Sequence, residues 1–112
     1  MARHSELVKI PRIDRYISKL ALGTAPLGGL FTAVSDEQGQ ATVLAALDSG
    51  INFIDTADVY EAGLSEAAVG KIARRHKEKI FVATKCGRQI TPHINANYQP
   101  KVLRKFVEDS LK

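Results

Sequence analysis

Three apolar runs rich in strand-forming residues recur along the chain: KLALGTA from Lys19, INFIDTA from Ile51 and KIFVATK from Lys79. Each is followed by a loop and then by apolar positions at helical spacing, at the interval of roughly 30 residues that a strand–helix–strand unit occupies. The runs are nearly continuous in hydrophobicity, which predicts parallel strands covered on both faces. The helices carry their own punctuation. Ser35-Asp-Glu-Gln38 has the form of a capping box, in which the Ser35 hydroxyl takes a free backbone N–H and Gln38 reaches back. Ala41, Leu44, Ala45 and Leu47 then predict a buried stripe, and Gly50 a left-handed stop. A second helix is expected from near Ser65, presenting Ala68, Val69, Ile72 and Ala73 and ending in the cations of ARRHKEK. A third opens with Pro100 in its first turn and shows Leu103, Phe106, Val107 and Leu111 at helical spacing. Ahead of these units, LVKIPRIDRYISKL reads as two short extended arms around a turn near Pro11 to Arg15. CGRQITPHINANYQ, between the third strand and third helix, reads as a long polar loop.

The length of 112 residues allows one domain with a modest core. Hydrophobic content of 45% and charged content of 25% are those of an ordinary soluble globular protein. The net charge of +4 is spread without a dense basic run, so no nucleic-acid partner is expected. No run approaches membrane-spanning length, and MARHSELVKIPR has no apolar signal core. With Cys86 the single cysteine, a reducing, cytoplasmic setting is the expectation by elimination. Lys112 falls inside a helical pattern without a stop signal behind it, and three parallel strands leave both sheet edges open. The pattern therefore reads as a chain cut from a larger sheet.

Two of the apolar runs end on a charge. If INFID and KIFVATK are neighbouring parallel strands, Asp55 and Lys85 stand at their C-terminal ends, and Tyr60 is on the loop leaving the first. That end of an α/β sheet is where sites are built. A tyrosine hydroxyl, with a pKa near ~10, is a poor proton donor or acceptor at neutral pH. A neighbouring ammonium favours the phenolate and brings it into a useful range, and a carboxylate can fix that ammonium. The three together can protonate a carbonyl oxygen. The carbon then needs a hydride, which no side chain supplies, and so a nicotinamide cofactor is implied. The same acid and lysine, taken alone, are equally the pattern of a structural ion pair, and Tyr60 alone that of a half-buried packing ring.

GTAPLGG (Gly23 to Gly29), INFIDTADVYEAGLSE and FVATKCG together resemble the opening third of the aldo/keto reductase family, from about Ser18 to Lys112. The resemblance implies the fold class: α/β, the N-terminal part of a (β/α)8 TIM barrel, with about three βα units over residues 19–112 preceded by a β-hairpin within residues 1–18. It implies reversible, NADP(H)-dependent reduction of an aldehyde, ketone or sugar carbonyl to an alcohol. Asp55, Tyr60 and Lys85 match three members of the family's catalytic set. Gly23, Thr24, Ala25 and Asp55 match positions near the nicotinamide end of the cofactor. The hairpin around Val8 to Ile17 matches the plug at the bottom of the barrel. The family's catalytic histidine, and the loops that hold the adenosine phosphate, belong to later strands, so these 112 residues alone are expected to be inactive. One local departure is Glu61, which stands where the family has the first glycine of Tyr-Gly-x-Gly, while Gly63 is kept.

The remaining candidates have plainer explanations. GTAPLGGL lacks both GxGxxG spacing and a P-loop lysine, and reads as a tight strand-exit loop. Cys86 reads as a small buried residue, with a reactive thiol as the alternative because Lys85 adjoins it. His76 reads as a solvated helix end, and His4 and His93 lie in polar segments without partners at metal-ligand spacing, so no metal is expected. Ser65 and Ser110 lack the His/Asp context of a nucleophile and read as helix positions. Two rivals to the enzyme reading remain. One is a cofactor-binding regulatory or sensor module acting through partners. The other is a chain that self-associates through its open sheet edges into a closed oligomer.

Overall fold

The computed structural model describes residues 6–28, 34–59, 63–77 and 79–112. Strands β1 (Leu7–Ile10) and β2 (Arg15–Ser18) form an antiparallel hairpin, Leu7 opposite Ser18 and Ile10 opposite Arg15. The turn between them places Asp14 at φ 48°, a left-handed position that aspartate tolerates better than most residues. Then come β3 (Leu22–Gly23), α1 (Asp36–Asp48), β4 (Phe53–Asp55), α2 (Leu64–Arg75), β5 (Phe81–Ala83) and α3 (Pro100–Ser110). β3, β4 and β5 make a parallel sheet in that order, Leu22 beside Ile54 and Ile54 beside Val82. The fold is α/β, as the alternation of patterns predicts.

Local signals set the helix ends. Ser35 Oγ accepts from Gln38 N at 3.1 Å, and Gln38 Oε1 accepts from Ser35 N at 3.0 Å, which completes the capping box. Gly50 follows α1 at φ 95°. Pro100 is the first residue of α3, where its missing N–H costs nothing. Arg74 and Arg75 close α2 beside its negative dipole end, with His76 as the cap.

The core is Val43, Ile54, Val69, Ile72 and Ile80, with Leu22, Leu27, Leu44 and Ala73 packed against it. It lies between one face of the sheet and the α1–α2 layer. Three expectations need correcting. The buried face of α1 is Gly39 and Val43, whereas Ala41 and Ala45 are exposed. Alanines surround this helix, so hydrophobicity alone does not choose a face. Close approach does: a Cβ built on Gly39 would stand 3.5 Å from Ala68 Cβ on α2. The strands are also shorter than the apolar runs, and they are not covered on both faces. Ile54 is fully buried, but Phe53, Asp55, Phe81 and Ala83, which alternate to the opposite face, are only partly buried, and Val82 at the edge is 43% exposed. Finally, only Phe106 of the α3 stripe is buried. Val107 and Leu111 border an open groove of about 800 Å³ between α2 and α3.

One side chain fastens the hairpin beneath the sheet. Asn52, just before β4, accepts from Ser18 N through Oδ1 (2.8 Å) and donates from Nδ2 to Tyr16 O (3.2 Å), while its own N–H donates to Ser18 Oγ (3.1 Å). The hairpin thus sits at the N-terminal end of β4, opposite the rim that carries Asp55.

Candidate active site

The C-terminal rim is assembled by backbone bonds that continue the sheet past its strands. Thr24 N and Thr24 Oγ1 both donate to Asp55 O, at 3.0 and 2.9 Å. Thr56 N donates to Ala83 O at 2.8 Å, and Asp58 N reaches Lys85 O at 3.4 Å. Asp55 therefore leaves β4 level with Gly23 on one side and Ala83 on the other. Lys85, two residues beyond β5, turns back over this step: its Nζ donates to Asp55 Oδ1 at 2.5 Å and to Thr56 O at 3.0 Å. The structure thus brings together two of the three residues expected to meet above the sheet, 30 positions apart in the chain. Both side chains are about half exposed, 52% for Lys85 and 46% for Asp55. An ion pair this wet adds at most about 1 kcal/mol to folding, so its content is geometric rather than stabilising. Tyr60 lies outside the described residues, as does Glu61.

Of the expected cofactor-binding residues, Gly23 is exposed at the strand end, with nothing within 4 Å of where a Cβ would stand, and Ala25 is partly buried. Thr24 differs from expectation. It is fully buried, and both its N–H and its hydroxyl are committed to Asp55, so it lies under the rim rather than on it.

Sequence reasoning read Ser65 only as a helix position and passed over the other groups beneath and beside this rim. Ser65, in the first turn of α2, is fully buried and donates from Oγ to Thr24 O at 2.9 Å; Thr56 Oγ1 stands 3.2 Å away. Thr84 Oγ1 donates to Glu66 Oε1 at 2.7 Å, a second tie from the rim to α2. Asp58, only 7% exposed, accepts from Gln89 Nε2 at 2.6 Å and so anchors the loop after β5 to the loop after β4. The polar character of the segment GLSE was visible, but not which way its serine points.

The loop after β5 has structure of its own. Gly87 adopts φ 110° and lies under the Tyr98 ring; a Cβ there would stand 2.6 Å from Tyr98 Cε1. Asn97 is buried and donates from Nδ2 to Pro92 O at 2.9 Å, closing the loop on itself at a short 3-10 turn, Asn95–Tyr98. Cys86, expected to be buried, is exposed, because Lys85 turns back toward the sheet and Gly87 turns under Tyr98, leaving the residue between them facing outward. Among the described residues no group of three or more His, Cys, Asp or Glu could hold a metal ion, and no helix is long and apolar enough to cross a membrane.

A hairpin closing the bottom of a parallel βα sheet, with an acid and a lysine meeting at its opposite rim, is the architecture that opens a (β/α)8 barrel. The chain belongs to the aldo/keto reductase family, whose model matches residues 19–112. It is 39% identical to the pyridoxal 4-dehydrogenase of Microbacterium luteolum over 87 residues, which is 78% of this chain and 25% of that protein. It is 34% identical to the L-galactose dehydrogenase of Arabidopsis thaliana, across 86% of this chain and 30% of the relative. Among solved structures, the glycerol dehydrogenase of Gluconobacter oxydans superposes on 96% of the chain with a TM-score of 0.77 and 42% identity, over 35% of its own length. The chain thus spans about a quarter to a third of the length of these relatives.

Proposed function

We propose that the intact protein is a cytoplasmic oxidoreductase that reversibly reduces an aldehyde, ketone or sugar carbonyl to an alcohol with NADP(H). The observation that carries this reading is the Lys85 ammonium held at the strand ends by Asp55 Oδ1 and Thr56 O. In this reading Tyr60 gives its proton to the carbonyl oxygen. The Lys85 charge favours the phenolate that remains, and Asp55 keeps Lys85 in place. The cofactor, when bound, supplies the hydride. Gly23, Ala25 and Asp55 would hold its nicotinamide end: the open space above Gly23 and the half-exposed Asp55 carboxylate fit a flat ring against the rim. Thr24 would act from below by fixing the Asp55 backbone. The preference for NADP draws support from a relative in Schizosaccharomyces pombe named aldo-keto reductase yakc [NADP(+)], 29% identical over 101 residues. The substrate class draws support from relatives named for pyridoxal, D-threo-aldose and L-galactose.

The reading divides the chain into a hairpin (1–18) and three βα units (19–112) of one barrel domain. It also expects these 112 residues alone to lack turnover, since the family resemblance assigns them positions near the nicotinamide end of the cofactor and none at its adenosine phosphate. A chain of this length would instead associate through the free edges of β3 and β5, which sedimentation would detect. The decisive experiment is Tyr60→Phe in the intact protein, followed by NADPH oxidation with an aldehyde. Turnover should fall by about 100-fold or more while NADPH binding persists. A variant within threefold of the parent would refute the assignment of Tyr60, and a parent with no turnover on any aldehyde, ketone or aldose would favour a cofactor-binding sensor.

A further inference from the structure

We propose that Ser65 is a positioning residue for the Asp55–Lys85 pair, acting through a buried chain of hydroxyl groups under the rim. The inference rests on the oxidoreductase reading for its kinetic consequence, but its geometry does not.

Thr24, Thr56 and Ser65 are each fully buried. Ser65 has one hydroxyl proton, and it goes to Thr24 O. Its contact with Thr56 Oγ1 must then run the other way, Thr56 donating to Ser65 Oγ. The Thr24 hydroxyl in turn donates to Asp55 O. The result is a directed chain, Thr56 to Ser65 to the Thr24 carbonyl, with Thr24 passing on to Asp55. It surrounds a single stretch of backbone. Asp55 O is held by Thr24, Thr56 N by Ala83 O, and the Thr56 side chain by Ser65. That leaves Thr56 O facing Lys85 Nζ, beside the Asp55 carboxylate.

Stability alone does not call for this arrangement. Replacing every member of a buried polar set by apolar groups of the same shape is often nearly neutral, so Val, Val and Ala would fill the space about as well. Apolar side chains, however, do not fix the rotation of a peptide plane. Hydroxyls with one permitted direction do: they hold the Asp55–Thr56 peptide, from whose two residues the Asp55 carboxylate and the Thr56 carbonyl reach Lys85 Nζ. Ser65 is also the one member supplied by α2, so it sets the helix against the ends of β3 and β4 together.

The test uses the intact protein with isotope-labelled lysine, the Lys85 side-chain signals being assigned from their loss in Lys85→Arg. In Ser65→Ala, those signals should move toward free-lysine positions. kcat should fall roughly ten- to a hundredfold, the usual penalty for a misplaced catalytic group, with the carbonyl KM and NADPH affinity within about threefold of the parent. The alkaline limb of the kcat profile should shift as well, which a simple loss of stability does not cause. If Ser65→Ala does not fold, Thr56→Val carries the test: it removes the hydroxyl but keeps the shape and should move the Lys85 signals, while Thr56→Ser should leave them in place. A folded Ser65→Ala or Thr56→Val with unmoved Lys85 signals overturns the proposal, whatever kcat does. Moved signals with unchanged kcat support the positioning role and count against the proton-transfer reading. A parent without turnover refutes the enzyme reading separately, and the Lys85 signals then decide for or against Ser65.

Discussion

Asn52→Ala should loosen the hairpin without unfolding the sheet, the backbone N–H at position 52 keeping its bond to Ser18 Oγ. Two bonds to the hairpin disappear: the acceptor for Ser18 N and the donor to Tyr16 O. They are not equal. Tyr16 is 56% exposed, so water replaces the amide at its carbonyl at little cost. Ser18 is only 3% exposed, and its N–H points away from Leu7 toward Asn52, so removing the acceptor strands a buried donor. A stranded buried donor costs about 1–3 kcal/mol, and about 2 kcal/mol is a fair central figure here. Hydrogen exchange reads this directly: Ser18 N–H should exchange about 30-fold faster in the variant, since each 1.4 kcal/mol is about tenfold. Amides within β4 and β5 should keep their protection. Asn52→Asp retains an acceptor for Ser18 N but sets a second acceptor oxygen against the exposed Tyr16 O, where water must intervene. Ser18 N–H should therefore be accelerated clearly less than in Asn52→Ala. Equal acceleration in both variants, or acceleration spread evenly over the sheet, would refute the idea that this one side chain is a local clamp.

Gly87→Ala combines a left-handed φ of 110° with a Cβ 2.6 Å from the Tyr98 ring, and should cost about 2–4 kcal/mol in chemical denaturation, with Tyr98 fluorescence altered. A variant as stable as the parent would show that Tyr98 moves aside freely. Gly23→Ala meets nothing within 4 Å, so stability should stay within about 0.5 kcal/mol. NADPH should nevertheless bind at least about fivefold more weakly, a methyl crowding the proposed nicotinamide surface, and unchanged affinity would remove Gly23 from that surface. Asp36 should titrate below the ordinary aspartate value by carbon NMR, chiefly because Lys71 Nζ donates to it at 2.9 Å and then because Gln40 does. With its folded value depressed, its contribution to stability is present at neutral pH and is lost only as the pH falls below about 4. Lys71→Met should raise the Asp36 midpoint, and an unmoved midpoint would discount the pair.

What could be read from the sequence was what neighbours in the chain decide. Ser35 and Gln38 cap each other within one turn, Pro100 needs no partner, and the hairpin's arms are joined by a four-residue turn, so each of these appears where the pattern puts it. Asp55 and Lys85 were legible because Asp55 ends β4 and Lys85 follows the end of β5 by two residues, and parallel strands in register bring their ends together. Groups whose partners depend on packing were not legible. Ser65 bonds across 41 positions, Asn52 across 34 and Asp58 across 31, and nothing local to any of them states which face will meet the sheet. The α1 stripe failed for the same reason: alanine hydrophobicity is the same on every side, and the packing of Gly39 against Ala68 chose the face.

The rim itself separates stability from function more cleanly than the rest of the fold. Its visible ion pair is about half exposed on both sides, while the backbone that aims it is held by fully buried groups. Removing the ammonium should therefore leave the architecture standing. Lys85→Met keeps the aliphatic stem but loses an exposed pair worth at most about 1 kcal/mol and the bond to Thr56 O. It should stay folded with stability lower by about 1–3 kcal/mol. Under the proposed mechanism turnover has no such cushion, because the charge proposed to favour the Tyr60 phenolate would be gone. A loss of turnover of about 100-fold or more in a protein still fully folded at the assay temperature is the expected result. If Lys85→Met did not fold, Lys85 would be a strut of the fold, and the pairing of Asp55 with Lys85 would say nothing about chemistry.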